Sequence, residues 1–378
     1  MSLIIAGDLV PSRNDVKLFE NGSINELLGK ELCDKWSRAK CRIFNLEAPI
    51  IDNASPIIKF GPNLKISEKC IYGIKKLNPS LIMLANNHIM DYGVDGLNKT
   101  LSILSNNQIN YIGVGNSSKD IKKYSILSID NKKVAIYNCA EKEFSIALDN
   151  TPGAFGYNDD EICNDLQNLK IKNDFVIVIY HGGKEHYRYP SPQLRNRCRK
   201  MVENGANLVV CQHSHCIGCM EEENESYIIY GQGNFLFNLE DNDYWKTSLI
   251  LDVYFEDKMK IDYIPIIRNE YGVSIPNKET SKKILNDFIT RSNEIKEKGF
   301  IEKEYNKLAE EAFNNYLCAL HGSGLLSRIL NKITRGKYLH LCYKKSNYAQ
   351  ILNYIECESH NELLISGLKC KLNNHNKD

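Results

Sequence analysis

The sequence predicts an α/β fold, a layered sheet with helices on its outside, and three observations predict it. Short β-branched runs recur through the first two-thirds of the chain. Several are apolar throughout rather than alternating, which is the pattern of strands covered on both faces. Segments of helical periodicity separate them, and that alternation implies helices packed against a sheet.

In chain order the strand-like runs are "LIIA" from Leu3, "CRIF" from Cys41, "LIMLA" from Leu81, "KVAIYNCA" from Lys133, "DFVIVIY" from Asp174 and "ANLVVC" from Ala206. Helices are expected near 23–36, 67–77, 94–105, 161–169 and 191–204. After Tyr227 the pattern changes to strands alone, with "YIIYG", "SLILDVYF" and "KIDYIPII" forming an antiparallel or edge portion. From about Asn277 two long stretches regain helical periodicity, with Gly299 and Gly322 as stop signals and charged outer faces. "SGLLSRILNKITRGK" and the region from Cys342 to Cys357 continue in the same manner, before a polar tail "NNHNKD". The division expected is a sheet-containing domain over 1–270 and a helical extension over 271–378.

At 378 residues, 43% hydrophobic and 25% charged, the chain is long enough to bury a sizeable core. With 48 basic against 47 acidic residues the formal charge is +1, so no global field points to nucleic acid or an anionic membrane. The opening "MSLIIAGDLVPSRND" has no basic leader, and no apolar stretch reaches membrane-spanning length, so a cytoplasmic location without a membrane segment is expected. Thirteen scattered cysteines lack the dense spacing of a disulfide scaffold. Cys211, Cys216 and Cys219 surround two histidines, yet no second cysteine pair completes a zinc site, so they are expected as buried or loosely redox-sensitive thiols.

The informative feature is the polar residue directly after each apolar run. "LIIAG" leads to Asp8, "CRIF" to Asn45 and Glu47, "LIMLA" to Asn86, Asn87 and His88, "VIVIY" to His181, and "LVVCQ" to His213 and His215. In open α/β sheets the carboxyl ends of the strands converge on one edge, where ligands bind. Each residue has an ordinary reading as a turn, a cap or a solvated loop group. Their coincidence after five strands points instead to a cation. Carboxylates, an amide oxygen and neutral imidazoles suit Mn, Fe or Zn, as one ion or two. Two ions need a bridging carboxylate, which Glu47 offers, and such a centre acidifies bound water for attack on phosphorus. His88 is a candidate general acid or charge stabiliser. Asp91, three residues on, either orients that ring or serves as a carboxylate at a helix start.

With its segments "AGDL", "NLEAPI", "ANNHIMDYGVDGL", "HGGKEHY", "QHSHCIG" and "YGQGNFLF", the stretch from about residue 2 to 255 resembles the CapA family of capsule and poly-γ-glutamate synthesis proteins, within the calcineurin-like metallophosphoesterase superfamily. The resemblance implies a four-layer α/β/β/α sandwich and, position by position, Asp8, Glu47, Asn87, His181, His213 and His215 as metal ligands with His88 beside them. Four departures accompany it. Val10 stands where many such enzymes carry a histidine, which implies one site short of an imidazole. "NLE" replaces the usual Gly-Asp-x-x-Asp, "HGGKE" replaces a His-Trp-Gly pattern, and "HSH" replaces His-Pro-His.

Around the ligands, Lys184 and Arg188 are candidate contacts for a phosphate or polycarboxylate, with Lys59 a further anion contact. Glu185 is expected beside the metal histidines, and Asn45 and Asn234 near the substrate. The function expected is a metal-dependent phosphoesterase-like hydrolase in capsule, exopolysaccharide or poly-γ-glutamate synthesis, acting on a phosphorylated or polyanionic molecule. Two rivals stay open. One is γ-glutamyl amide hydrolysis or transfer, and the other is a non-catalytic assembly subunit whose C-terminal helices dock a protein partner.

Overall fold

The structure, a computed structural model, describes residues 1–12, 15–59, 61–321 and 324–356, with positions 364 and 368. Gly322, Cys357 and the polar tail lie outside the described residues.

In chain order the strands are β1 (Ser2–Val10), β2 (Cys41–Leu46), β3 (Leu81–Met83), β4 (Tyr111–Ile112), β5 (Val114–Gly115), β6 (Tyr124–Ile129), β7 (Lys132–Ala140) and β8 (Gly153–Ala154). They continue as β9 (Phe175–His181), β10 (Leu208–Gln212), β11 (Met220–Glu223), β12 (Ser226–Ile229), β13 (Asn234–Phe237), β14 (Thr247–Phe255), β15 (Met259–Asn269) and β16 (Gly272–Ser274). The helices are α1 (Val16–Asn21), α2 (Ile24–Arg38), α3 (Ile71–Lys76), α4 (Gly93–Asn106), α5 (Asp159–Lys172), α6 (Pro192–Glu203) and α7 (Lys278–Glu294). Four more come after them: α8 (Phe300–Leu320), α9 (Leu325–Ile333), α10 (Lys337–Cys342) and α11 (Lys345–Glu356).

One sheet runs β16-β15-β14-β1-β2-β3-β4, with β13 also pairing β1, and the other runs β11-β12-β10-β9-β7-β6. The strands β1 to β4 are mutually parallel, as are β7, β9, β10 and β12. The later strands add antiparallel edges, β14 on β1 and β11 on β12. The two-residue alternation of strands divides the apolar side chains into layers. Leu3, Ile5 and Ile43 of the first sheet meet Ile136, Ile177 and Val210 of the second in a central core. On the outer face of the first sheet, Ile4, Phe44 and Ile82 pack with Leu28 and Leu32 of α2 and Leu97 of α4. Outside the second sheet, Val176, Val178 and Val209 pack with Leu166 of α5 and Met201 of α6. Helix, sheet, sheet, helix is the four-layer sandwich that the resemblance implies.

Local chemistry explains several helix boundaries. Asn158 caps α5 by accepting from Glu161 N, and three acidic residues lie in its first turn, where the helix dipole favours them. Ser191 caps α6 just before Pro192, whose fixed φ suits a first helical position. In α2, Gly29 is non-helical at φ 64, so the segment expected as one helix is two helices joined by a kink.

The chain divides into two compact units, Met1–Ile301 and Glu302–Asp378. The first includes α7, which buries Ile284 and Phe288 in the central core and bonds the edge strand β11 through Met220 N to Ser292 Oγ at 2.9 Å. The expected division at 270 precedes that helix. In the second unit Tyr343 stacks on Tyr348 and Leu339 is buried.

Candidate metal centre

The parallel strands of both sheets end at the same edge of the sandwich, and the polar residues gather there. Asp8 lies within β1, whose pairing with β2 shifts register between Ile5 and Asp8, so the expected strand end at Ala6 falls short. Asp8 sits opposite Asn45 on β2 and Asn234 on β13. A side chain at Gly7 would put its Cβ 2.1 Å from Gly233 O, so this approach of β13 to β1 requires glycine.

Asn45 Nδ2 donates to Asp8 Oδ1 at 2.7 Å and lies 3.2 Å from His181 Nδ1. Asn86, which the strand-end pattern brings forward without a role, donates to Asn45 Oδ1 and to Leu46 O, fixing that amide. His181 Nε2 is the meeting point: Asn87 Oδ1 lies at 3.0 Å, His213 Nδ1 at 3.2 Å and Glu47 Oε1 at 3.3 Å. Donor spacings near 3 Å are those of neighbouring ligands on one cation at about 2.0–2.2 Å.

His213 and His215 come after β10 rather than extending it. Both take left-handed backbone conformations, φ 82 and φ 54, which non-glycine residues rarely adopt. In an extended segment, strand alternation would place both rings on one side. Two left-handed residues around Ser214 bring them together instead, with ring centroids 6.0 Å apart. Asp8 Oδ2 accepts from His213 N, and Asn234 Oδ1 lies 2.8 Å from His215 Nδ1. Two groups of donor atoms result, each within 4.8 Å of one another: Glu47 with His181 and His213, and Asp8 with Glu47 and His215. Glu47 belongs to both.

The electrostatics fit a cation held among these groups. Glu47 is fully buried and neither of its oxygens has a hydrogen-bond donor. Burial pushes its carboxyl up to about 8, and burial with the neighbouring Glu47 charge pushes Asp8 up to about 7. Burial also holds the His181 and His213 imidazoles below their usual range and brings His215 down to about 3. The imidazoles are thus neutral, as metal ligation requires, and a bound cation would favour release of the protons that burial holds on the two carboxyls.

Beside this cluster His88 Nδ1 lies 2.6 Å from Asp91 Oδ2. Leu64 N donates to that same oxygen, and Lys59 Nζ pairs with Asp91 Oδ1 at 2.7 Å. Asp91 precedes α4, and its two oxygens face His88 Nδ1, Leu64 N and Lys59 Nζ. Lys59 is buried against Asp91 and over the Phe144 ring, 4.5 Å from its centroid.

The loop after β9 behaves unevenly. Lys184 and Glu185 are exposed, with Glu185 Oε1 4.0 Å from His213 Nε2. Arg188 is committed elsewhere, donating to Ile217 O at 2.9 Å and lying over Tyr244. Val10 is buried in the outer core beneath the helices.

Two further residues join the site without being expected from sequence. Glu141 stands directly after β7, where the strand-end pattern could have found it, and its Oε1 lies 3.5 Å from His213 Nε2. Trp245 packs against His215, ring centroids 4.7 Å apart, and donates to His186 Nε2. Nothing near Trp245 in sequence announces that contact. The cysteines Cys211, Cys216 and Cys219 are buried and free.

The fold is thus a four-layer α/β/β/α sandwich that collects carboxylates and imidazoles where its parallel strands end. The chain belongs to the family described as bacterial capsule synthesis protein PGA_cap, whose family model matches residues 2–239. It is 28% identical over 247 residues to the capsule biosynthesis protein CapA of Bacillus anthracis, covering 63% of this chain and 60% of that one. It is 30% identical over 180 residues to the PGA biosynthesis protein CapA of Bacillus subtilis (strain 168), covering 47% of each. The match thus spans less than two thirds of either relative. Among solved structures, a novel phosphatase from Mycoplasma pneumoniae shares 15% identity at a TM-score of 0.44, over 71% of this chain and 93% of that one. A putative 5'-nucleotidase from Staphylococcus aureus shares 13% at 0.44, over 76% and 58%.

Proposed function

We propose that this chain is a metal-dependent phosphoesterase-like hydrolase serving capsule or exopolymer synthesis, with Asp8, Glu47, Asn87, His181, His213 and His215 holding one or two divalent ions. The observation that carries the reading is Glu47. A buried carboxylate with no donor to either oxygen, shared between two histidine-containing clusters, needs a cation to offset its burial. The mixed oxygen and nitrogen donors suit Mn, Fe or Zn.

A divalent cation bound there supplies Lewis acidity towards a phosphoryl oxygen and a nucleophile near neutral pH. The remaining steps fall to the chain. With Nδ1 facing Asp91, His88 has Nε2 left to hand a proton to a departing oxygen. Lys59 neutralises Asp91 and so stands one residue behind the chemistry, a positioning group rather than an anion contact. Lys184 is the exposed cation of the loop and the better candidate for a phosphate oxygen than Arg188. Asn45 and Asn234 act on Asp8 and His215 rather than on substrate. Trp245 shields the outer face of His215 from water.

The test is metal analysis of protein purified without chelators, together with hydrolysis of an aryl phosphate and an aryl phosphodiester. Bound Mn, Fe or Zn with activity, both lost in Asp8→Asn and His213→Ala, is the expected result. Metal-loaded protein inert on every phosphoester would refute the reaction class. A γ-glutamyl amide substrate is the second reading, favoured by the name of the Bacillus subtilis relative, and release of glutamate from polymer without phosphate chemistry distinguishes it.

A further inference from the structure

We infer that α9 and the turn after it form a docking face for the surface of an anionic lipid bilayer. This face belongs to the second compact unit and is independent of the metal centre.

The first observation is an aliphatic stripe open to solvent. Leu325 is 75% exposed, Leu326 71%, Ile329 45% and Ile333 72%, and Leu341 on α10 is 80% exposed. At about 100° per residue the four positions on α9 fall within an arc of roughly 100°, a single face of the helix. Ser327, Leu330, Asn331 and Thr334 occupy the other side and are only partly exposed. A helix that turns four of its five aliphatic side chains outwards, Leu330 being the exception, departs from the usual order of a surface helix.

The second observation is charge. Residues 312–355 contain no Asp or Glu, whereas Arg328, Lys332, Arg335, Lys337, Lys344 and Lys345 are all basic. A chain with a formal charge of +1 therefore carries, in the stretch of sequence that includes this stripe, six basic residues and no acidic one. On α9, Arg328 and Lys332 fall along one flank of the aliphatic arc and both are exposed.

Charge complementarity selects the occupant. A hydrated polyanion would use the basic flank and leave the aliphatic stripe in water. A protein partner would have to supply an apolar groove of its own to receive the stripe, and that occupant leaves the basic flank without a role. An anionic bilayer satisfies both at once: the aliphatic side chains enter the acyl boundary while the basic residues remain among the headgroups. No helix among the described residues is long and apolar enough to cross a membrane, so this is a face that lies on the bilayer.

The experiment is sedimentation of the full chain with phosphatidylcholine vesicles, with and without phosphatidylglycerol. Binding is expected only with phosphatidylglycerol and is expected to weaken as salt is raised. Leu326→Asp with Ile333→Asp, and separately Lys332→Glu with Arg335→Glu, are each expected to lower partitioning about tenfold or more. Unchanged circular dichroism and metal content of the first unit check that the variants are folded, and Leu326→Ser with Ile333→Ser serves if the aspartates are not tolerated. Equal binding to phosphatidylcholine alone, or undiminished binding of the aliphatic variants, would overturn the inference. So would a concentration-dependent dimer, abolished by the same substitutions, in protein that does not sediment with vesicles.

Discussion

Glu47 concentrates the account at the scale of single residues. Replacing it by Gln keeps the volume and removes the charge that two clusters share. Glu47→Gln is expected to reduce bound metal, measured by mass spectrometry of the metal content, while the fold is retained. His88 should behave in the opposite way. His88→Ala is expected to lower kcat on an aryl phosphate by about 10²–10⁴ with metal content unchanged, since a proton donor is lost and no ligand is. Away from the site, Asp15 is buried with Oδ1 unpartnered, and burial raises its carboxyl to about 7, against an unfolded value near 3.9. The folded chain keeps that proton between about pH 4 and 7 while the unfolded chain releases it, so this group's contribution to stability falls as pH rises through that window. Asp15→Asn is therefore expected to stabilise the protein at pH 8, by on the order of 1 kcal/mol, and to have little effect at pH 4. Denaturant melts at the two pH values check it. The ligand candidates were legible in the sequence because each stands at or just beyond an apolar run. Trp245 and the ion pair of Lys59 with Asp91 were not, because they depend on loops whose approach no local pattern encodes.

At the scale of elements the apolar runs gave good strand cores and poor strand ends. β1 continues to Val10 because β13 pairs with it on one side and β2 on the other, a supply of partners that lies in distant sequence. β6 alternates exposed and partly buried residues at the edge of its sheet, so it has no apolar run to announce it. Helix α7 looked like the start of a separate helical region, since its charged face dominates its composition. Its few apolar residues decide otherwise: Phe288 is buried against Tyr263, ring centroids 5.2 Å apart. Phe288→Ala is expected to destabilise the first unit by about 3–5 kcal/mol, the usual cost of emptying a buried aromatic site. A loss below about 1 kcal/mol in a denaturant melt would mean that α7 only decorates the sandwich.

For the whole molecule, the two sheets meet through an apolar core at their centre and through polar groups at one edge. Gln212 Nε2 on the second sheet donates to Ala6 O on the first, and Gln232 Nε2 donates to Ile5 O, so the edge is also bonded directly. A cation at that edge would tie Asp8 and Glu47 of one sheet to His181 and His213 of the other. Chelation is therefore expected to lower the melting temperature and added Mn to restore it, with about 2.7 kcal/mol of stabilisation at a hundredfold excess over Kd. The most direct measurement is an element-specific anomalous difference map from crystals of the metal-loaded protein. A peak about 2.0–2.3 Å from Glu47, His181 and His213 is the predicted result. A metal-loaded crystal with its peak elsewhere, and none where the two sheets bring these residues together, would contradict it.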